Sequence, residues 1–120
     1  MQKELSLRKS QDFSRVYNLG RSWVNDLLVL KTLPTDADSV SRFGFTVGKR
    51  TGNAVVRNTI KRRLREAVRH TPVKSGCDVI FIARGKARSA DYHQLQASVR
   101  GLLRRADLLA VVSEIEKVRA

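Results

Sequence analysis

Apolar residues recur along the chain at two different periods, and the switches between them lay out the elements. Phe13, Val16 and Tyr17 stand at i, i+3 and i+4, which predicts a short helix over residues 10–18, capped by Ser10 and stopped by Gly20. Residues 22–33 carry Trp23 and the run Leu27, Leu28, Val29, Leu30, and read as a strand that Pro34 ends. A polar turn follows at 35–39. Phe43, Phe45 and Val47 then alternate within residues 40–48, the mark of a second strand with one buried face. Next the period becomes helical. At roughly 100° per residue, Val56, Ile60, Leu64, Ala67 and Val68 fall within an arc of about 0° to 120°. Asn53 supplies an N-cap for that helix, and it stops near 70–72 because Pro72 cannot continue it. Residues 77–83 form a continuous apolar run bounded by Gly76 and Gly85, as in a centrally buried strand. Ser89 is the expected cap of a last long helix to about residue 109, with Tyr92, Leu95, Val99, Leu102, Leu103 and Ala106 on one stripe. Residues 111–120 read as a short helix or a frayed tail. The pattern is α-β-β-α-β-α: one small α+β domain over residues 1–120, with a βαβ crossover carrying the central helix.

Charge changes this picture most at the central helix. The chain has 24 Lys plus Arg against 11 Asp plus Glu, a formal charge of +13. Between positions 49 and 69 stand Lys49, Arg50, Arg57, Lys61, Arg62, Arg63, Arg65 and Arg69 against the single acid Glu66. With Val56 at zero, Arg57, Lys61, Arg65, Asn58, Arg69 and Arg62 cover about 100° to 240°, beside the apolar stripe, while Arg63 falls near 340° and lies off that face. Solvated helix faces normally mix both signs, because opposite charges at i,i+4 support each other. A crowd of one sign costs self-repulsion and points to a polyanion. The segment Gly48-Lys49-Arg50-Thr51-Gly52-Asn53 leads into the helix, where a free helix N-terminus and close backbone approach suit a phosphate.

Such a balance favours nucleic acid or an anionic membrane surface. No apolar run approaches the roughly 20 residues of a membrane span, and the N-terminus lacks a secretory h-region. The lone cysteine, Cys77, opens the buried run and reads as a small hydrophobe in a reducing cytosol. Phe13 and Tyr17 have two readings, ordinary core packing or a partly open surface on which unpaired bases stack. Catalytic side chains are not in evidence. His70 and His93 stand alone, no Cys/His spacing suits zinc, no carboxylate cluster suits two metals, and no phosphate-binding glycine loop is complete.

The stretch Gly-Lys-Arg-Thr-Gly-Asn-Ala-Val-Val-Arg-Asn-Thr-Ile-Lys-Arg-Arg-Leu-Arg, positions 48–65, resembles the signature of the bacterial ribonuclease P protein subunit, K-[KR]-x-G-x-A-V-x-R-N-x-x-K-R-x-x-R. The resemblance extends to Leu7-Arg8-Lys9-Ser10-Gln11-Asp12-Phe13 and to Arg42-Phe43-Gly44-Phe45-Thr46-Val47. It implies an α-β sandwich of the order αβββαβα, one strand more than the pattern alone. It also implies a cytoplasmic ribonucleoprotein enzyme that removes the 5′ leader of precursor tRNA, with catalysis by the RNA subunit and Mg²⁺ held mainly by that RNA and the substrate. On this resemblance Lys49, Arg50, Asn53, Arg57, Asn58, Lys61, Arg62, Arg65 and Arg69 face the catalytic RNA subunit. Phe13, Tyr17 and Phe45 line a cleft for the single-stranded leader, in which Lys31 stands where members often carry a strand aromatic. No protein-bound metal, membrane or DNA partner is implied. The rival class is a non-catalytic RNA-binding module, such as a ribosomal protein or RNA chaperone. Mere charge would not demand the fixed Gly-Asn-Ala-Val-x-Arg-Asn-x-x-Lys-Arg spacing. A double-stranded DNA reader is disfavoured, since Asn58 is the only base-reading amide on the face.

Overall fold

The computed structural model describes residues 6–110. Its elements are α1 (Ser10–Leu19), β1 (Arg21–Val24), β2 (Leu28–Pro34), β3 (Arg42–Val47), α2 (Ala54–Arg69), β4 (Cys77–Ala83) and α3 (Tyr92–Arg105), with short 3-10 turns at Lys49–Thr51 and Gly85–Ser89. The four strands form one mixed sheet in the order β1-β2-β4-β3. β4 lies antiparallel to β2 and parallel to β3, with Phe81 opposite Leu30 on one side and Phe45 on the other. Consecutive β3 and β4 can pair in parallel because α2 carries the chain back across the sheet. The expected βαβ unit is therefore present, and the element order is αβββαβα.

The extra strand comes from a break within residues 22–33. Asn25 Oδ1 accepts hydrogen bonds from the backbone N–H of Leu27 (3.1 Å) and Leu28 (2.9 Å), closing a turn that folds the run into the β1–β2 hairpin. Two helix starts also differ from expectation. Ser10 is the first residue of α1, not its cap, and Lys9 precedes it without a side-chain cap bond. α3 is capped by Asp91, whose carboxylate accepts from Gln94 N–H while Gln94 returns a bond to Asp91 N–H; Ser89 lies in the preceding turn. This helix ends at Arg105, short of residue 109, and the following segment bridges to Val73 through Leu109. The reading of 111–120 lies outside the described residues.

Both faces of the sheet are covered. Alternation sends Leu28, Leu30, Phe43, Val47, Val79, Phe81 and Ala83 to the face where α2 and α3 supply Ile60, Leu64, Val68, Leu95, Val99, Leu102 and Leu103. Burying a side chain such as Phe81 there contributes about 1.5–3 kcal/mol. The opposite face is a smaller cluster, in which Leu7, Val16 and Ile80 are buried and Phe13, Tyr17, Leu33 and Ile82 half-buried under α1. Cys77 is buried at the start of β4, and desolvation pushes its thiol pKa up, which keeps it an inert hydrophobe.

Candidate nucleic-acid interface

The apolar stripe of α2 is the buried one, so the adjoining cations are forced outward. Ile60, Leu64, Ala67 and Val68 are inside, while Arg62, Arg65, Arg69 and Asn58 are exposed and Arg57 and Lys61 half-buried. Asn53 caps the helix: its Oδ1 accepts from Val56 N–H at 3.0 Å. Lys49 and Arg50 project from the exposed turn before it. Among the described residues Lys49, Arg50, Arg57, Lys61, Arg62 and Arg65 make no ion pair. Arg57 Nε is shielded from solvent without any hydrogen-bond partner, a donor lacking an acceptor. Arg69 differs, because Glu66 accepts from it at 3.0 Å and lies 2.8 Å from His70 Nε2. His70 first, and then Arg69, hold the Glu66 carboxyl below its ordinary pKa. Arg63 turns away and donates to the carbonyl of Ala90 at 3.3 Å, apart from the basic face.

A second basic turn lies next to the first in space. The Gly85–Ser89 turn, which carries exposed Lys86 and Arg88, packs against the Lys49–Thr51 turn, which carries exposed Lys49 and Arg50. Residues 84–88 are legible as a basic loop, but its neighbour is 35 or so positions away and only the crossover brings the two together.

Across the sheet, α1 makes a different surface. Phe13 and Tyr17 lie with ring centroids 6.4 Å apart, one turn from each other on a half-buried helix face. Gly44 admits the Phe13 ring: a Cβ there would stand 2.7 Å from two ring carbons. Tyr17 Oη and Thr46 Oγ1 share a hydrogen bond at 2.9 Å, and Lys31 Nζ lies 5.9 Å from the Tyr17 ring centroid. At the other end Arg42 donates from Nε and Nη2 to both oxygens of Asp78 (2.9 and 2.8 Å) and reaches Asp12 at 3.5 Å. The bond to Asp78 raises the Arg42 pKa above its ordinary value, so the clamp stays charged. Asp78 is only 2% exposed, and this fork is what makes its burial tolerable. The described residues contain no group of three or more His, Cys, Asp or Glu able to hold a metal ion.

One expected grouping fails. Phe45 does not join Phe13 and Tyr17: it stacks on Phe81 (6.2 Å, 12° between planes) with Arg65 over its ring at 5.9 Å, on the α2 side. The reason is strand periodicity. Phe43, Phe45 and Val47 share one face of β3, Gly44 and Thr46 the other, and α1 covers the second. The α1 surface thus consists of Phe13, Tyr17, Thr46 and Lys31, with Gly44 buried beneath the Phe13 ring. Thr46 and Gly44 were readable only as the polar and small positions of an alternating strand.

Comparison with known proteins places this geometry. The family model described as Ribonuclease P matches residues 1–107. Among curated relatives, the ribonuclease P protein component of Herpetosiphon aurantiacus is 44% identical over 110 residues, spanning 90% of this chain and 89% of its own. That of Caldanaerobacter subterraneus subsp. tengcongensis is 39% identical over 109 residues (89% and 93%). Among solved structures, the RNase P protein of Staphylococcus aureus superposes with a TM-score of 0.80 at 34% identity, covering 88% of this chain and 98% of that one. The RNase P protein from Thermotoga maritima gives 0.74 at 29% identity (83% and 96%).

Proposed function

The chain belongs to the ribonuclease P protein family, and from that premise we propose how its two faces divide the work of a protein subunit. It serves the endoribonuclease that matures tRNA 5′ ends, as an RNA-binding component of a ribonucleoprotein. The α2 face, with Lys49, Arg50, Asn53, Arg57, Asn58, Lys61, Arg62, Arg65 and Arg69, binds the catalytic RNA subunit, and Phe45 belongs with it beneath Arg65. Contacts of Lys and Arg to phosphate position the RNA and carry no sequence information. The α1 face receives the single-stranded 5′ leader of precursor tRNA on Phe13 and Tyr17. Mg²⁺, held mainly by the RNA subunit and the substrate, supplies charge stabilisation at the scissile phosphodiester. The side chains of this protein contribute binding, orientation and neutralisation of crowded phosphates. The expected place of work is the cytoplasm, and no helix among the described residues is long and apolar enough to cross a membrane.

The observation that carries this reading is the set of unpaired cations on the α2 face. Folding gains nothing from six like charges on one turn and one helix, whereas counterion release rewards each one that meets a phosphate. About six such contacts make affinity fall about 10³-fold between roughly 50 and 200 mM salt. The test is cleavage of a precursor tRNA at low Mg²⁺ by a bacterial ribonuclease P RNA, with the wild type and with the folded triple variant Arg57→Ala, Lys61→Ala, Arg65→Ala. Wild-type protein should permit cleavage at Mg²⁺ levels where RNA alone is inactive, and the variant should lose that effect. Equal Mg²⁺ requirements with and without the wild-type protein would refute the assignment.

A further inference from the structure

The geometry points to Lys31 as a phosphate-binding residue inside the α1 surface, which makes the leader's contribution to binding electrostatic as well as stacking. Lys31 is half-buried in β2, between Ser22 of β1 and Ile80 of β4 in register. Among the described residues its ammonium makes no hydrogen bond and no ion pair, and its one assigned contact is the Tyr17 ring at 5.9 Å. That separation is at the outer limit for a cation over a ring. The carboxylates beside this surface are committed elsewhere: Arg42 holds both oxygens of Asp78 and reaches Asp12. Both carboxylates are thus partnered by Arg42. What remains is an unpaired cation on a half-buried strand residue, near the hydroxyl pair of Tyr17 and Thr46 and the half-buried ring of Phe13.

A half-buried lysine keeps its stem against the apolar surface and presents its ammonium, without a protein anion, at the edge of that surface. A single strand offers what the surface lacks: bases for the two rings, and a phosphate for Lys31 within the span of neighbouring nucleotides. The assignment rests on the reading of the α1 face as the leader site, and it adds a specific consequence. Each phosphate neutralised on a single strand contributes about 0.7 to the slope of log affinity against log salt. Lys31 alone should therefore make the leader's contribution fall about 2.6-fold between roughly 50 and 200 mM monovalent salt.

The experiment uses the reconstituted holoenzyme at fixed divalent cation under non-cleaving conditions. It compares affinity for precursor tRNA with a leader of about ten nucleotides against one with a single-nucleotide leader. The ratio isolates the leader, because phosphates of the tRNA body and the RNA subunit are common to both substrates. In the wild type the ratio should exceed one and fall with salt. Lys31→Gln should flatten that dependence, Lys31→Arg should retain it, and Phe13→Ala should lower the ratio at every salt concentration. If Phe13→Ala lowers the ratio but Lys31→Gln leaves its salt dependence unchanged, Lys31 is not the phosphate ligand and the leader site stands. Should Lys31→Gln weaken both substrates equally, the phosphate belongs to the tRNA body or the RNA subunit, and the assignment to the leader fails. A ratio of one in the wild type, or one untouched by Phe13→Ala, overturns the leader site itself and Lys31 with it.

Discussion

Replacing Gly44 by alanine should separate the two faces of the sheet. Gly44 has no positive φ, so its backbone suits any residue, and what it supplies is space. A Cβ there would stand 2.7 Å from Cε1 and Cζ of Phe13 and 3.4 Å from Leu7 Cβ. Carbon atoms are at ease at about 3.5–4.0 Å, so the ring must retreat by about 1 Å. Overpacking of this kind costs about 1–3 kcal/mol. Removing a strand glycine returns about 0.5–1 kcal/mol of unfolded-state entropy. The expected net loss is about 0.5–2 kcal/mol, or a fall in Tm of about 2–10 °C for a domain of this size. Function should change on one side only. Phe13 shifts, so the affinity advantage of a long leader over a single-nucleotide leader shrinks. The α2 face, across the sheet, keeps its affinity for the RNA subunit, measured by filter binding. Gly101→Ala is the internal control: a Cβ at Gly101 meets nothing within 4 Å. Alanine inside α3 should therefore stabilise by up to about 1 kcal/mol and leave both affinities alone. The reasoning is refuted if Gly44→Ala weakens RNA-subunit binding as much as leader binding, or if it melts no lower than Gly101→Ala.

Three further outcomes follow from the electrostatics. Arg42→Ala strips the partner from buried Asp78 and should cost about 2–4 kcal/mol in chemical denaturation, below the full buried-pair value because the guanidinium is a third exposed. The double variant Arg42→Met, Asp78→Asn should recover much of that, and a double variant no more stable than Arg42→Ala would sink the account. Glu66 is held below its ordinary pKa of 4.5, chiefly by the hydrogen bond with His70. A depressed carboxylate stabilises above its unfolded pKa, and the contribution disappears as pH falls through the folded value. The Tm of Glu66→Gln should therefore lie slightly below wild type at neutral pH and converge with it below about pH 4.5; a gap that widens in acid contradicts the assignment. Finally, unpaired cations on the native α2 face should let sulfate or phosphate raise Tm more than chloride at equal ionic strength, by linkage to anion binding. Identical Tm values in the two salts would argue against an organised anion surface.

What the sequence determined by itself is whatever depends on neighbours along the chain. The stripe Ile60, Leu64, Ala67, Val68 buries one side of α2 and so compels the cations of its neighbouring side into solvent, and Asn53 caps the helix through Val56 three residues on. The continuous apolar run of β4 foretold a strand covered on both faces. Asp91 and Gln94 also carry a legible capping box, which a preference for Ser89 passed over. Only the tertiary structure decided which face of β3 meets which helix. Alternation says that Phe45 and Thr46 point opposite ways, but not that α1 returns over the Thr46 side while α2 and α3 take the other. For the same reason the aromatic trio divided, and Lys31 came to stand under Tyr17. The fork between Arg42 and Asp78 joins residues 36 positions apart and exists only because β3 and β4 pair in parallel. Short-range periodicity sets the content of each face, and the packing of helices on a two-sided sheet sets which contents meet.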